Sequence, residues 1–165
     1  MLGLEKSMPS SAKDFLTLMV EPTVAEFAQS PHDLRRGLLA AIVLNHMADH
    51  LAQEGQPPTD RSTMNQRLDA VRNEMLEICP GFQFIQDIAD AAKHAKLFVP
   101  KSPSKPVREV PTSDRVTTTL GLFHASFGEG GFAEAAEVFV TLNDGTTKPL
   151  LPAVKLVLET WRTKL

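Results

Sequence analysis

The feature that most constrains the fold is a helical pattern that runs from Ser30 to Gly55. Its apolar residues recur at three- and four-residue steps, and further apolar residues widen the stripe until the segment is apolar nearly all round. Such a helix is usually surrounded by others, because apolar surface left in water costs free energy. The pattern predicts a central helix from about Pro31 to Glu54, with Ser30 and Pro31 as its start signal and Gly55 as its end.

Further helical segments are available to cover this central helix. The first begins near Ser11, and Pro22 is expected to kink or restart it, because proline lacks an N–H and clashes with the preceding turn. Two more follow, at about Thr63 to Ile78 and Phe82 to Lys96. Together these patterns predict a bundle of four to five helices within residues 11–98.

The helical pattern of apolar residues ends at about residue 98. Four prolines between residues 99 and 114 indicate an extended connection that is not helical. β-branched residues then dominate two segments, and Asn143-Asp144-Gly145 is typical of a hairpin turn. The sequence therefore predicts one α+β domain, residues 1–165, that is mainly α: a helical bundle (11–98), a proline-rich connection (99–114), a small antiparallel β-meander (115–148) and a closing helix (150–164).

Composition limits the class of function. The formal net charge of −3 argues against a protein that coats nucleic acid or adheres to membranes. No apolar run of about 18 residues is present to span a bilayer, and the first residues do not resemble a signal peptide. Because Cys79 is the single cysteine, no internal disulfide can form. These features predict a protein of a reducing compartment such as the bacterial cytoplasm.

Two polar clusters, each set in an otherwise apolar helix, are the candidate site. His46, Asp49 and His50 lie three and four residues apart, so they share one face of the central helix. A second cluster with similar spacing lies on the helix that begins at Phe82. Its members are Asp87, Asp90, Lys93 and His94.

If the two helices are neighbours, these side chains converge, and three interpretations stay open. The first is a structural network, in which an aspartate hydrogen-bonds a buried histidine or Lys93 and fixes how the helices pair. The second is a binding or active pocket without metal, and we expect no cofactor. The third is a metal site of the kind found in helical bundles, although neither Glu-x-x-His nor His-Glu-x-x-His is present. Its ligands would be His46, His50, Asp90 and His94.

The motifs His46-x-x-Asp49 and Asp87-x-x-Asp90-x-x-Lys93-His94 resemble those of a bacterial and phage family of helical proteins. That family is itself similar to the HEPN superfamily, whose bundles are associated with nucleotide or RNA binding. The resemblance covers about residues 14–97. HEPN ribonucleases carry an arginine followed by a histidine after four to six residues, and no arginine here has a histidine at that spacing. The resemblance therefore implies a HEPN-like bundle that binds but does not cleave.

Taken together, these observations lead us to expect a non-enzymatic binding or interaction protein of the cytoplasm. We expect a homodimer, formed through the bundle or the edge of the meander, that binds a nucleotide, RNA or a protein partner and no membrane. The alternative is an enzyme, either a metal-dependent hydrolase or a degenerate nuclease, with its histidine and aspartate site between the two helices.

Overall fold

A computed structural model describes residues 8–98, 107–118 and 137–165. The fold is α+β and mainly α, which confirms the predicted class. In chain order its main elements are α1 (Ala12–Phe15), α2 (Glu21–Gln29), α3 (Leu34–Gln53), α4 (Arg61–Ile78), α5 (Phe82–His94), β1 (Val116–Thr118), β2 (Val138–Thr141), β3 (Thr147–Pro149) and α6 (Leu150–Lys164).

Helix α3 lies at the centre and packs against α2, α4, α5 and α6, as its apolar surface predicted. α2 and α6 both approach it closely at Gly37, where an added Cβ would lie 3.1 Å from both Leu150 Cδ2 and Phe27 Cε2. Trp161 of α6 is fully buried, and its Nε1 donates a hydrogen bond to the carbonyl oxygen of Leu44, 3.1 Å away. The central helix is thus covered on several sides, and the core of the protein surrounds it.

The start of α3 differs from the prediction. Ser30 and Pro31 are not its first residues, because the carbonyl oxygen of Ser30 accepts the Asp33 N–H at 2.9 Å and closes a separate turn. The side chain of Asp33 accepts the backbone N–H of Arg36 at 3.1 Å and so caps a helix that begins at Leu34. The predicted start of α3 was the serine–proline pair, whereas the cap is the Asp33 carboxylate, three residues after Ser30.

Pro22 does not break the first helix. The chain stays helical from Ala12 to Gln29, with a π-helical segment, Leu16–Val20, just before the proline. The Glu21 N–H donates to the carbonyl oxygen of Leu16, five residues earlier. The predicted interruption therefore takes the form of a wider helical turn, with Pro22 in the first turn of α2, where its missing N–H is tolerated.

Two other helix ends also differ slightly from the prediction. α4 begins at Arg61 because the Asp60 side chain accepts the Thr63 N–H at 3.0 Å and caps the helix two residues early. α5 ends at His94 because Ala95 has a φ of +61°, a left-handed conformation that leaves the helix. Cys79, between α4 and α5, is a buried free thiol in a turn.

The three strands form one antiparallel sheet in the order β1-β2-β3, which confirms the predicted meander. Val116 pairs with Val140, and Phe139 pairs with Pro149. The predicted hairpin turn joins β2 to β3, with Gly145 at a φ of +84°. The glycine-rich segment between the first two strands lies outside the described residues.

The sheet is joined to the bundle at the start of its central strand, β2. The backbone N–H of Val138 donates to the carbonyl oxygen of Pro31 at 2.8 Å, next to the start of α3. Before β1, Ser113–Arg115 form one turn of 3₁₀-helix, so the connection predicted to contain no helix ends in a short helical turn.

Across the described ranges, no helix combines the length and apolar character needed to cross a bilayer.

Candidate functional site

The helices that carry the two polar clusters are neighbours, which the sequence alone left open. α4 and α5 are joined by the short turn at residues 79–81, and both pack on α3 far more than on each other. α3 therefore forms the floor of a cleft, and α4 and α5 form its walls. We call the resulting space, which has a volume of about 800 Å³, the α3–α4–α5 cavity.

Five of the seven predicted site residues line this cavity. Its floor carries one cluster because positions separated by three and four residues point to the same side of α3. The α5 wall carries part of the other cluster for the same reason. The five are His46, Asp49, His50, Asp90 and Lys93, and the other lining residues are Ile42, Asn45, Leu68, Arg72, Ala89 and Ala92.

Asn45 and Arg72 line the cavity but were not among the site residues predicted from the sequence. Asn45 lies among the apolar residues of α3, and Arg72 lies on α4, whose surface is mostly polar. Asn45 is only 5% exposed, and its Oδ1 accepts no hydrogen bond from any residue that the structure describes. Arg72 Nε is likewise a buried donor with no acceptor in the described ranges. A buried polar atom left unpaired costs about 1–3 kcal/mol, so both atoms are poorly explained as structural groups.

The charged groups around the cavity are of both signs. Arg72 and Lys93 bring positive charge, and Asp49 and Asp90 bring negative charge. Apart from Asn45 and the two histidines, the remaining lining is apolar, as in most small-molecule sites, which have a few polar groups among apolar walls. The cavity volume also falls within the range of roughly 300–1,000 Å³ that such sites occupy.

His50 is held in place by an aromatic contact. Its ring stacks on Phe15 of α1, with ring centroids 3.8 Å apart and planes inclined by 14°. Burial lowers the pKa of His50 below its ordinary value, the charge of Asp49 opposes this, and the nearby His46 lowers it further. His50 therefore favours its uncharged form and contributes a neutral imidazole to the cavity.

Asp87 does not line the cavity. Its side chain is fully buried, and Oδ1 accepts from Gln83 Nε2 and Arg108 Nη1, each at 2.7 Å. Oδ2 accepts the backbone N–H groups of Glu109 at 2.6 Å and Val110 at 3.4 Å. The Asp87 carboxylate thus fixes residues 108–110 of the proline-rich connection to α5, a structural role that the sequence analysis did not assign to it.

Asp90 links the cavity to this buried network. Arg108 Nη1 lies 3.1 Å from Asp90 Oδ2 as well as 2.7 Å from Asp87 Oδ1. Burial lowers the pKa of Arg108, but its hydrogen bonds and ion pairs with Asp87 and Asp90 outweigh this and raise the pKa above its ordinary value. Glu109, beside it, has a raised pKa, mainly through burial, with the charge of Lys148 opposing and that of Asp87 adding to the rise.

His94 is exposed at the end of α5 and does not line the cavity. It is therefore not among the lining residues with His46, His50 and Asp90, the other three ligands of the metal hypothesis. Within residues 8–98, 107–118 and 137–165, no three His, Cys, Asp or Glu side chains are grouped so that they could hold a metal ion. The metal site stays a hypothesis of the sequence, without a preformed ligand group in this part of the chain.

Comparisons with known proteins add no relative to this description. No protein-family model, no curated protein and no solved structure matches the chain. The HEPN-like resemblance accordingly stays a prediction, and function has to be argued from the cavity itself.

Proposed function

We propose that this chain is a non-enzymatic binding protein whose ligand is held in the α3–α4–α5 cavity. The observation that carries the proposal is Asn45, a lining residue that is more than nine-tenths buried and whose Oδ1 has no hydrogen-bond donor among the described residues. A second unpaired atom, Arg72 Nε, lies in the same lining. Four buried side-chain atoms lack a partner among the described residues, and two of the four belong to residues of this one cavity, where a ligand could pair them.

The classes of ligand suggested by the sequence belong to this proposal. Arg72 and Lys93 carry the positive charge that binds phosphate. A nucleotide or RNA, bound through a phosphate at these two residues, is therefore one class of ligand. A binding role also agrees with what the HEPN-like resemblance implies. A protein partner would instead insert a side chain or a chain end into the cleft. These classes are separated by experiment.

The test is a thermal-unfolding screen of the wild-type chain against small polar molecules and short RNA oligonucleotides. The small molecules are nucleotides, carboxylates, amines, sugar phosphates and amino acids. A ligand that binds only the folded state raises the melting temperature by mass action, and the increase grows with its concentration. We expect at least one class to raise the melting temperature of the wild-type chain and to lose that effect in Arg72→Met.

The matched control for this screen is Arg61→Gln, which removes an exposed arginine from the first turn of the same helix. It should respond as the wild type does, because Arg61 does not line the cavity. If no compound changes the melting temperature, or if every change survives Arg72→Met, the cavity is not the binding site and the proposal is wrong.

We also propose that the protein acts in the cytoplasm as a homodimer. A single cysteine whose thiol is buried in the turn after α4 supports a reducing compartment. Light scattering after size exclusion tests the dimer, which predicts twice the chain mass of 18.1 kDa across a range of concentrations. A mass of 18.1 kDa at every concentration would contradict it.

A further inference from the structure

The charges around the α3–α4–α5 cavity allow the class of ligand to be narrowed. This step rests on the proposed function, because it takes the cavity to be the binding site. Of the charged lining residues, Arg72 and Lys93 are positive, and Asp49 and Asp90 are negative. With imidazoles counted as uncharged, the lining carries two charges of each sign and has no net charge.

A lining with charges of both signs disfavours ligands whose charges all have the same sign. A multiply negative ligand would bring like charges towards Asp49 and Asp90, and a plain amine would do the same towards Arg72 and Lys93. Part of the cavity is buried, so the screening of these repulsions is incomplete. A ligand that carries one group of each sign satisfies both sets.

The two unpaired atoms lead to the same requirement by a separate route. Asn45 Oδ1 is an acceptor and needs an N–H or O–H donor, whereas Arg72 Nε is a donor and needs an acceptor. A ligand that pairs both atoms must offer a hydrogen-bond donor and an acceptor. An ammonium and a carboxylate are the groups that do this with charges matched to the nearby carboxylates and cations.

We propose that the ligand is a small zwitterion of the amino-acid or short-peptide class, with a free ammonium and a free carboxylate. The carboxylate binds at Arg72 and Lys93, and the ammonium binds at Asn45 and Asp49. The apolar lining residues, Ile42 and Leu68 among them, contact the carbon portion of the ligand. The Asp90 carboxylate is shared with Arg108 and so is less available to the ligand than Asp49.

The test is calorimetric titration of the wild-type chain with the free L-amino acids and the dipeptide Gly-Leu. For the probe that binds most tightly, the N-acetyl form removes the positive charge and the amide form removes the negative charge. AMP serves as a multiply charged anion that also carries N–H donors. We expect one zwitterion to bind, and each blocked form to bind about tenfold or more weakly, since each loses one charged contact.

Two variants test the binding of the carboxylate and of the ammonium separately. Arg72→Met should weaken the zwitterion and its N-acetyl form, and Asp49→Asn should weaken the zwitterion and its amide form, each by about tenfold or more. Arg61→Gln is the control and should bind as the wild type does. Asp49→Asn preserves the shape of the side chain, so it keeps the test valid if Arg72→Met is poorly folded.

The outcomes distinguish this inference from the proposed function. If AMP or a singly charged form binds as tightly as any zwitterion, and binding depends on Arg72, the cavity is a binding site but the zwitterion class is wrong. The same holds if the thermal screen yields an Arg72-dependent ligand and no amino acid or dipeptide binds. If no compound in either experiment binds, both the inference and the proposed function are wrong.

Discussion

At the residue scale, buried polar groups of this protein are used in two different ways. The Asp87 carboxylate accepts four hydrogen bonds, from Gln83, Arg108, Glu109 and Val110, and is fully satisfied by the protein. The Asn45 amide, in contrast, has an acceptor oxygen with no donor in the described part of the chain. The first pattern is that of a structural group, and the second agrees with the proposed binding of a ligand in the cavity.

This distinction makes a prediction for Asp87. Asp87→Asn should lower the free energy of unfolding by about 3 kcal/mol, because it removes a buried charge opposite Arg108 and turns an amide N–H₂ toward N–H donors. Asp90→Asn is the matched control. Asp90 is 23% exposed and has one ion pair with Arg108, so its change should cost less than about 1 kcal/mol.

Urea unfolding of the wild type and both variants measures these differences. Equal losses for Asp87→Asn and Asp90→Asn would mean that Arg108 is not held mainly by Asp87. A small loss for both would mean that the network contributes little to stability.

A second residue-scale prediction concerns pH. Burial lowers the pKa of His50 below its ordinary value of 6.5, so the unfolded chain binds more protons at this residue than the folded chain at mildly acidic pH. Its contribution to stability is therefore present above pH 6.5 and is lost as the pH falls through the folded pKa. His50→Phe, which can still stack on Phe15, should reduce the fall in melting temperature between about pH 7.5 and pH 5.5. Identical pH profiles for the variant and the wild type would contradict this assignment.

At the element scale, helix type and order followed from periodicity, but the ends of helices depended on single side chains. The apolar period of three and four residues located α3, α4 and α5 because it reflects the burial of one face. The starts of α3 and α4 were misplaced because Asp33 and Asp60, not the serine or threonine nearby, supply the capping oxygen. Several side chains near each boundary are able to cap, and the sequence does not say which one does.

Gly37 gives the element-scale prediction. It allows α3 to approach α2 and α6 closely, and both residues that an added Cβ would meet, Phe27 and Leu150, are fully buried. Gly37→Leu should therefore cost about 1–3 kcal/mol through overpacking, even though leucine favours a helix more than glycine does. The measurement is the unfolding free energy in urea. A stabilised variant would mean that α2 and α6 can move apart at little cost.

At the scale of the whole molecule, α6 connects the sheet to the bundle. It follows β3 directly, and its Trp161 lies in the core against α3 and α5. The ring of Trp161 meets that of Phe82 edge to face, at a centroid distance of 5.8 Å. Because α6 links the sheet to the core in this way, we expect the protein to unfold as one unit, as the single domain predicted for residues 1–165 requires.

Trp161 also reports on this prediction, since it is the only tryptophan of the chain. Its fluorescence follows the junction of α3, α5 and α6, whereas far-ultraviolet circular dichroism follows all helices. We expect the two signals to give the same urea midpoint. A fluorescence midpoint clearly below the dichroism midpoint would mean that α6 detaches before the bundle unfolds, and the single domain would be wrong.

The candidate site was only partly predictable at this scale. His46, Asp49, His50, Asp90 and Lys93 were found because polar residues at helical spacing stand out in apolar helices. Arg72 was missed because α4 is charged on most of its surface, and nothing in the sequence marks which arginine faces α3. The contact of Asp87 with Arg108 was not predictable because the two residues are 21 positions apart, and only the fold brings them together.

The measurement that tests the central claim most directly is the unfolding free energy of Asn45→Leu without added ligand. Leucine has a similar size and a higher helix propensity, and it removes a buried oxygen that no described residue satisfies. If Asn45 is kept for a ligand, the free variant should be as stable as the wild type or more stable by about 1 kcal/mol or more. A loss of about 1 kcal/mol or more would make Asn45 a structural residue and would contradict the binding cavity as described.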